Sequence, residues 1–211
     1  MFAATVTNFA SFPRPAFGRH AATVAEPATR TTTRADAKHM RQARLAADVL
    51  PELPNPGESL HVILSGEIDL CSVVLSLLPR VRCLHLRLTT LAMSKRNMTE
   101  ILGALENFPA MRFTLIVSEF YRSHNKDAWE EFLENLVEFP NAKASAARVH
   151  LKLVGIEIDG DVPVIAESSA NLRRNGGLEF LAVHRDAALH RFYAEFIDRM
   201  VSAQHGEEKE V

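Results

Sequence analysis

The chain has 211 residues, of which 47% are hydrophobic, and this fits one globular domain with a full core, with or without a tail. Its formal net charge of −2 gives no overall attraction to nucleic acid, although residues 1–50 carry seven Lys and Arg against three acidic residues. Cys71 and Cys83 form no disulfide framework and no zinc-binding pattern, which favours reduced thiols in a cytoplasmic protein. No apolar run reaches the roughly 18 residues of a membrane span, and no secretory signal is indicated.

The first part of the chain lacks the apolar spacing of a folded domain. Residues 1–33 are rich in Ala, Thr and Pro, and we expect them to form a disordered tail. Residues 34–58 start with a helical pattern, which ends at Pro51 and leads into a Pro-rich linker. The folded domain is expected to span residues 59–203, and residues 204–211 form an acidic tail.

Short apolar strands then alternate with amphipathic helices. In chain order, the pattern predicts strand 60–64, helix 67–78, strand 81–88, helix 98–108, strand 112–117 and helix 128–139. Ser94 or Asn97 is the expected N-cap of the second of these helices. Such alternation predicts a largely parallel sheet that is covered by helices on both faces.

The segment from residue 148 to residue 186 carries the most chemical information. His150 and Lys152 lie one residue apart in an apolar alternation, which predicts a strand with both side chains on one face. A turn at Asp159-Gly160 then returns the chain in a second strand, so that the sheet is mixed.

Further polar residues follow at the end of the returning strand. Ser169 and Asn171 come directly after it, and Glu179 lies in a third strand. The last helix is predicted over residues 187–201, with Asp186 as its N-cap.

His150-x-Lys152, Ser169-x-Asn171 and the following Glu179 resemble one copy of the phospholipase D superfamily motif. The likeness is to single-motif, phospholipase D-like proteins of bacteria and mobile elements, which are related to the dimeric nucleases of the family. The resemblance implies an α/β fold, a phospholipase D-like mixed sheet flanked by helices on both faces.

Two positions depart from the family pattern. Glu157 stands where the family commonly has Asp, five residues after the Lys, and Ser168 stands where the family has Gly before its Ser. The loop between the Lys and the Ser is also longer than in the compact nucleases of the family.

The resemblance implies a phosphodiesterase that requires neither metal nor cofactor. His150 would attack phosphorus to form a phosphohistidine, while Glu179 orients its imidazole. Lys152 would neutralise the phosphoryl oxygens, and Ser169 and Asn171 would donate hydrogen bonds to them. Two such motifs meet in the family, so a single copy per chain implies a homodimer with the site on its two-fold axis.

Two functions stay open at this point. The first is a phosphodiesterase acting on nucleic acid, because short loops leave no lid for the acyl chains of a lipid. The second is a weakly active or inactive module that binds nucleic acid or a protein partner; a lone His-x-Lys pair is also common on the exposed face of a strand. His124 is expected at the rim of the site, on a loop after a strand, and Arg173 and Arg174 are candidates to hold a polynucleotide backbone.

Overall fold

The computed structural model describes residues 46–65, 68–173 and 176–207, with side chains as far as residue 203. The predicted N-terminal tail, most of the helix predicted after it, Arg174 and the last four residues of the chain lie outside this part. What the sequence predicts for those segments therefore stays a prediction.

The described chain begins with a helical segment that packs on the domain. Residues 46–49 are helical, and Ala46 and Leu50 are fully buried in the main core. Arg80 donates a hydrogen bond of 2.6 Å to the carbonyl oxygen of Leu50. This end of the predicted helix is thus part of the folded unit.

One mixed sheet contains all the named strands of the described chain. They are β1 (Ser59–Leu64), β2 (Cys83–Thr90), β3 (Arg112–Ser118), β4 (Ala142–Ala147), β5 (Leu153–Ile158), β6 (Val164–Ser168) and β7 (Glu179–His184). Their order across the sheet is β1-β7-β6-β5-β2-β3-β4. Only the β2–β3 and β3–β4 pairs are parallel. The mixed sheet is confirmed, but the prediction of a largely parallel one is wrong, because hairpin connections pair β5, β6 and β7 antiparallel.

The helices are α1 (Leu70–Leu77), α2 (Lys95–Asn107), α3 (Glu119–His124), α4 (Lys126–Leu136) and α5 (Ala187–Glu207). Side-chain caps set where α1 and α2 begin: Asp69 accepts a hydrogen bond of 2.8 Å from the Ser72 N–H, and Ser94 accepts one of 3.2 Å from the Asn97 N–H. Asp186 caps α5 as predicted, with a bond of 2.9 Å from the Leu189 N–H. No described helix is long and apolar enough to cross a membrane.

Three local predictions are wrong. His150 and Lys152 precede the strand that they were expected to occupy, because β5 begins only at Leu153. The segment after the third strand is helix α3 and not a loop. The sequence of β4, AKASAA, has low strand propensity and was not predicted; parallel pairing along β3 makes it a strand.

The two faces of the sheet pack against different helices. One face forms the main core with α1, α2 and α4, through residues such as Leu88, Ile156 and Phe132. The other face packs against α5, where Ile116 and Ile197 belong to a small separate apolar cluster. Helices therefore cover both faces, as predicted.

The contact between α5 and the sheet is strongly polar. The Arg87 side chain is 7% exposed and forms a bidentate pair with Asp198, at 2.9 and 2.8 Å. Burial would raise the pKa of Asp198, but hydrogen bonds and charge from Arg87 outweigh burial and lower it. Burial and the charges of Arg87 and Arg112 lower the pKa of the neighbouring His85 to about 4. An ionised carboxylate on α5 thus neutralises a guanidinium inside the sheet.

We expect Asp198→Ala to lower the free energy of unfolding by about 3 kcal/mol, because it removes the main partner of a buried cation. The matched control is Asp159→Ala. Asp159 lies 2.7 Å from Arg82, whose side chain is 82% exposed, so its loss costs about 0–1 kcal/mol. Urea unfolding at neutral pH measures both values. Equal losses in the two variants would contradict the importance of the buried pair.

Candidate active site

The site residues lie at the edge of the sheet where β2 ends and β5 and β7 begin. Thr89 and Thr90, the last residues of β2, are fully buried. Thr89 Oγ1 accepts a hydrogen bond of 3.1 Å from the Leu153 N–H, and Thr90 Oγ1 accepts one of 3.1 Å from the Leu172 N–H. Each of these donors directly follows a predicted site residue, so the two hydroxyls hold both segments of the motif. Thr89 and Thr90 were not predicted as site residues, although two polar residues at the end of an apolar strand are a usable signal.

His150 and Lys152 are in direct contact. The Lys152 ammonium lies 3.0 Å from His150 Nδ1 and donates a second bond of 3.0 Å to the His150 carbonyl oxygen. Because an ammonium group only donates, Nδ1 is the acceptor and the ring proton of neutral His150 is on Nε2. Burial lowers the pKa of Lys152, and the negative charge of Glu179 opposes part of this decrease.

The β6–β7 pairing brings Ser169 to Glu179. Ser169 Oγ donates to Glu179 Oε2 and accepts a hydrogen bond of 3.0 Å from the Phe180 N–H. The carboxylate is therefore oriented by a fixed hydroxyl and acts electrostatically on Lys152. Four of the predicted residues form one constellation, and the expected hydrogen bond from the His150 imidazole to the Glu179 carboxylate stays a prediction.

Asn171 is anchored beside this constellation. Its backbone carbonyl accepts a hydrogen bond of 3.3 Å from the Leu70 N–H at the start of α1, and its Oδ1 lies 3.5 Å from Thr90 Oγ1. Donation by Asn171 to a phosphoryl oxygen stays a prediction. Among the described residues, no group of three or more His, Cys, Asp or Glu side chains is placed to hold a metal ion.

The two departures from the family pattern have structural partners. Ser168 Oγ donates a bond of 2.6 Å to the Phe180 carbonyl and accepts one of 2.9 Å from the Ala170 N–H, so it fixes the turn after β6. Glu157 lies four residues, or roughly 13 Å, along β5 from Leu153, the first residue of that strand. There it contacts Arg87 at 3.4 Å and Arg112 at 3.2 Å. Glu157 thus supports the contact between the sheet and α5, and it lies away from His150.

A cleft of about 420 Å³ opens next to His150. The residues that line it include Phe120 of α3 and Arg148. His124, which was expected at the rim of the site, packs against the Phe120 ring. Phe120 was not predicted as a site residue, because a loop was expected where the chain forms α3.

No protein-family model matches the sequence, and no curated protein matches it. Among solved structures, polyphosphate kinase from Porphyromonas gingivalis is similar over 79% of this chain and 28% of its own, with 15% identity and a TM-score of 0.49. Nuc, a phospholipase D family member from Salmonella typhimurium, is similar over 67% of this chain and 93% of its own, with 12% identity and a TM-score of 0.50. The likeness to Nuc confirms that the chain has a phospholipase D-like fold. The chain spans only 28% of the kinase.

Charge coupling between Glu179 and Lys152 is directly measurable. Since the carboxylate raises the pKa of Lys152 against the effect of burial, we expect Glu179→Gln to lower that pKa further below the usual lysine value. The control, Glu131→Gln, removes a carboxylate that pairs with Lys95 and should leave the pKa of Lys152 unchanged. The pH dependence of Lys152 acetylation, read by mass spectrometry, gives the titration. A Lys152 pKa that stays the same or rises in Glu179→Gln would disprove the coupling.

Proposed function

We propose that this chain of phospholipase D-like fold is a metal-independent phosphodiesterase that acts on nucleic acid. The observation that carries the proposal is the contact of an exposed imidazole, His150, with the half-buried ammonium of Lys152. The candidate nucleophile and a cation thus lie next to each other at the edge of the sheet. The Ser169–Glu179 pair adjoins them and supplies a negative charge and a hydroxyl. Phosphodiester cleavage needs a nucleophile, and cations or hydrogen-bond donors for the phosphoryl oxygens.

The Lys152–His150 contact suggests how substrate prepares the nucleophile. While Lys152 donates to Nδ1, the attacking nitrogen Nε2 carries a proton and has no free lone pair. A phosphodiester is a stronger acceptor for an ammonium group than a neutral imidazole is, so Lys152 turns to the phosphate. Nδ1 then takes the ring proton and donates it in a hydrogen bond to a carboxylate, for which Glu179 is our candidate. Nε2 is thereby free to attack.

The reaction proceeds in two steps. Nε2 of His150 forms a bond to phosphorus, and the bond from phosphorus to the leaving oxygen breaks. Lys152 offsets the charge of the phosphoryl oxygens and Asn171 is a neutral donor to them, whereas the single proton of Ser169 Oγ is directed to Glu179. Water then attacks the phosphohistidine, which releases the phosphate product and restores the imidazole.

The leaving oxygen requires a proton, and one chain supplies only one complete copy of the motif. A second His-x-Lys, His124-Asn125-Lys126, lies at the end of α3 and has no Ser-x-Asn segment of its own. We propose that His150 of a second copy donates it, which places the site on the two-fold axis of a homodimer. The same partner protonates the leaving oxygen in the first step and accepts a proton from water in the second. A single chain therefore holds half of the complete site.

A second candidate is a binding module that holds a phosphate without cleaving it. The contact that favours it is again the hydrogen bond from Lys152 to His150 Nδ1, because a His150 kept in this tautomer does not attack phosphorus. Such a module would use the same cations to recognise nucleic acid. Turnover separates the two candidates.

We expect His150→Ala to lower turnover by roughly 100- to 10,000-fold or more, because no other described residue of the constellation forms the phosphoenzyme. Lys152→Ala should also lower turnover severely. Glu179→Gln should lower turnover less, because a neutral amide can still form a hydrogen bond with His150. His61→Ala removes an exposed His of β1 outside the constellation and serves as control. Cleavage of DNA and RNA, single- and double-stranded, is measured with EDTA present. Full activity in His150→Ala, or complete loss with EDTA, would refute the mechanism.

The homodimer makes a separate prediction. Sedimentation at micromolar concentration should give twice the chain mass of 23.5 kDa. Leu151, which is 37% exposed between His150 and Lys152, should lie in the contact, so Leu151→Glu is expected to give monomers. Leu84→Glu is the matched control, since Leu84 is also 37% exposed but lies at the other end of β2. A monomeric wild type would favour the binding module.

A further inference from the structure

Phe120 is an exposed aromatic residue that is held in a fixed orientation. Its side chain is 64% exposed on α3, and its ring lies against the His124 ring, with 4.1 Å between centroids and 31° between planes. His124 Nδ1 donates a hydrogen bond of 2.8 Å to the Phe120 carbonyl oxygen. One face of the phenyl ring is therefore supported by the imidazole.

Helix α3 itself is firmly attached to the domain. Its Tyr121 is buried in the main core, and Ser118 accepts a hydrogen bond of 2.9 Å from the Tyr121 N–H. Ser118 also donates a bond of 2.6 Å to the Leu91 carbonyl oxygen, after β2. Phe120 is thus exposed on a well-packed element, although burial of a phenyl ring would be favourable.

The Phe120 ring borders the cleft that contains His150. The volume of about 420 Å³ lies within the range of small-molecule sites, roughly 300–1,000 Å³. Arg148, His150 and Glu119 also line this cleft. An aromatic ring, a cation and the proposed nucleophile therefore face one open volume.

We infer that this cleft is a stacking subsite, in which Phe120 stacks on the base of a nucleotide that flanks the scissile phosphate. The inference rests on the proposed function and narrows its substrate to single-stranded nucleic acid, since a base in a duplex has no free face for a side-chain ring. With the phosphate at His150, Arg148 is placed to meet the polynucleotide backbone. The Glu119 carboxylate accepts hydrogen bonds from exocyclic amino groups of a base.

The charges in the cleft argue against an acyl chain as its occupant. A hydrocarbon in this volume would lie beside two charged residues, Arg148 and Glu119, and would offer neither of them a hydrogen bond. A base offers a π-face to Phe120 and polar edges to both charges.

Binding to a His150→Ala protein tests the subsite without turnover, so an inactive enzyme would not hide the result. The probe is a fluorescent single-stranded oligonucleotide, followed by anisotropy at fixed salt. When Phe120→Ala is introduced into the His150→Ala protein, oligonucleotide binding should weaken by roughly 5- to 150-fold, the usual effect of losing one base–aromatic stack. Phe120→Trp should retain the affinity. The matched control is Phe192→Ala on α5, whose side chain is 63% exposed and lies outside the cleft.

Binding of an oligomer of abasic deoxyribose phosphates shows whether Phe120 contacts a base or the sugar-phosphate backbone. We expect Phe120→Ala to bind it as tightly as the His150→Ala parent does, because no base is present to stack. Equal loss on abasic and normal oligomers, or equal effects of Phe120→Ala and Phe192→Ala, would overturn the inference. So would a Phe120→Ala protein that loses affinity for anionic phospholipid vesicles instead of oligonucleotides, or one that changes its oligomeric state.

Discussion

Two buried threonine hydroxyls at the end of β2 hold the candidate site in place. At this edge of the sheet, the segments that carry the motif leave their strands, and their buried N–H groups need acceptors. Thr89 and Thr90 provide these acceptors to Leu153 and Leu172, next to Lys152 and Asn171 in the chain. A buried donor without a partner costs about 1–3 kcal/mol, so both segments are strongly tied to one strand end. The relative position of the two halves of the motif depends on this pair.

The two faces of the sheet are held to their helices by different interactions. Its main apolar core lies under α1, α2 and α4, whereas α5 is held by charge, through Arg87 and Asp198. Glu157 belongs to that second contact, where it also meets Arg112. The residue that departs from the family's Asp thus takes part in the packing of α5, away from the groups around His150.

Within the site, one hydrogen bond connects substrate binding to the state of the nucleophile. Lys152 donates a hydrogen bond to His150 Nδ1, and in our proposal a phosphate competes for the same ammonium group. In our proposal the anionic substrate itself therefore releases the imidazole. Phe120, from a different element, α3, lines the same cleft as His150. Chemistry and base recognition would thus come from segments that meet only in the folded chain.

Local patterns in the sequence determined the α/β class, most strands and helices, the Asp186 cap and the residues of the motif, because periodicity and capping act over a few residues. Tertiary structure alone decided the rest. The AKASAA segment became β4 because β3 offered it a parallel partner, and the His-x-Lys pair lies before β5, which begins only at Leu153. The threonine acceptors and the cleft between Phe120 and Arg148 join residues far apart in the chain. Short-range spacing carries no information about such contacts, since the path of the whole chain determines which segments meet.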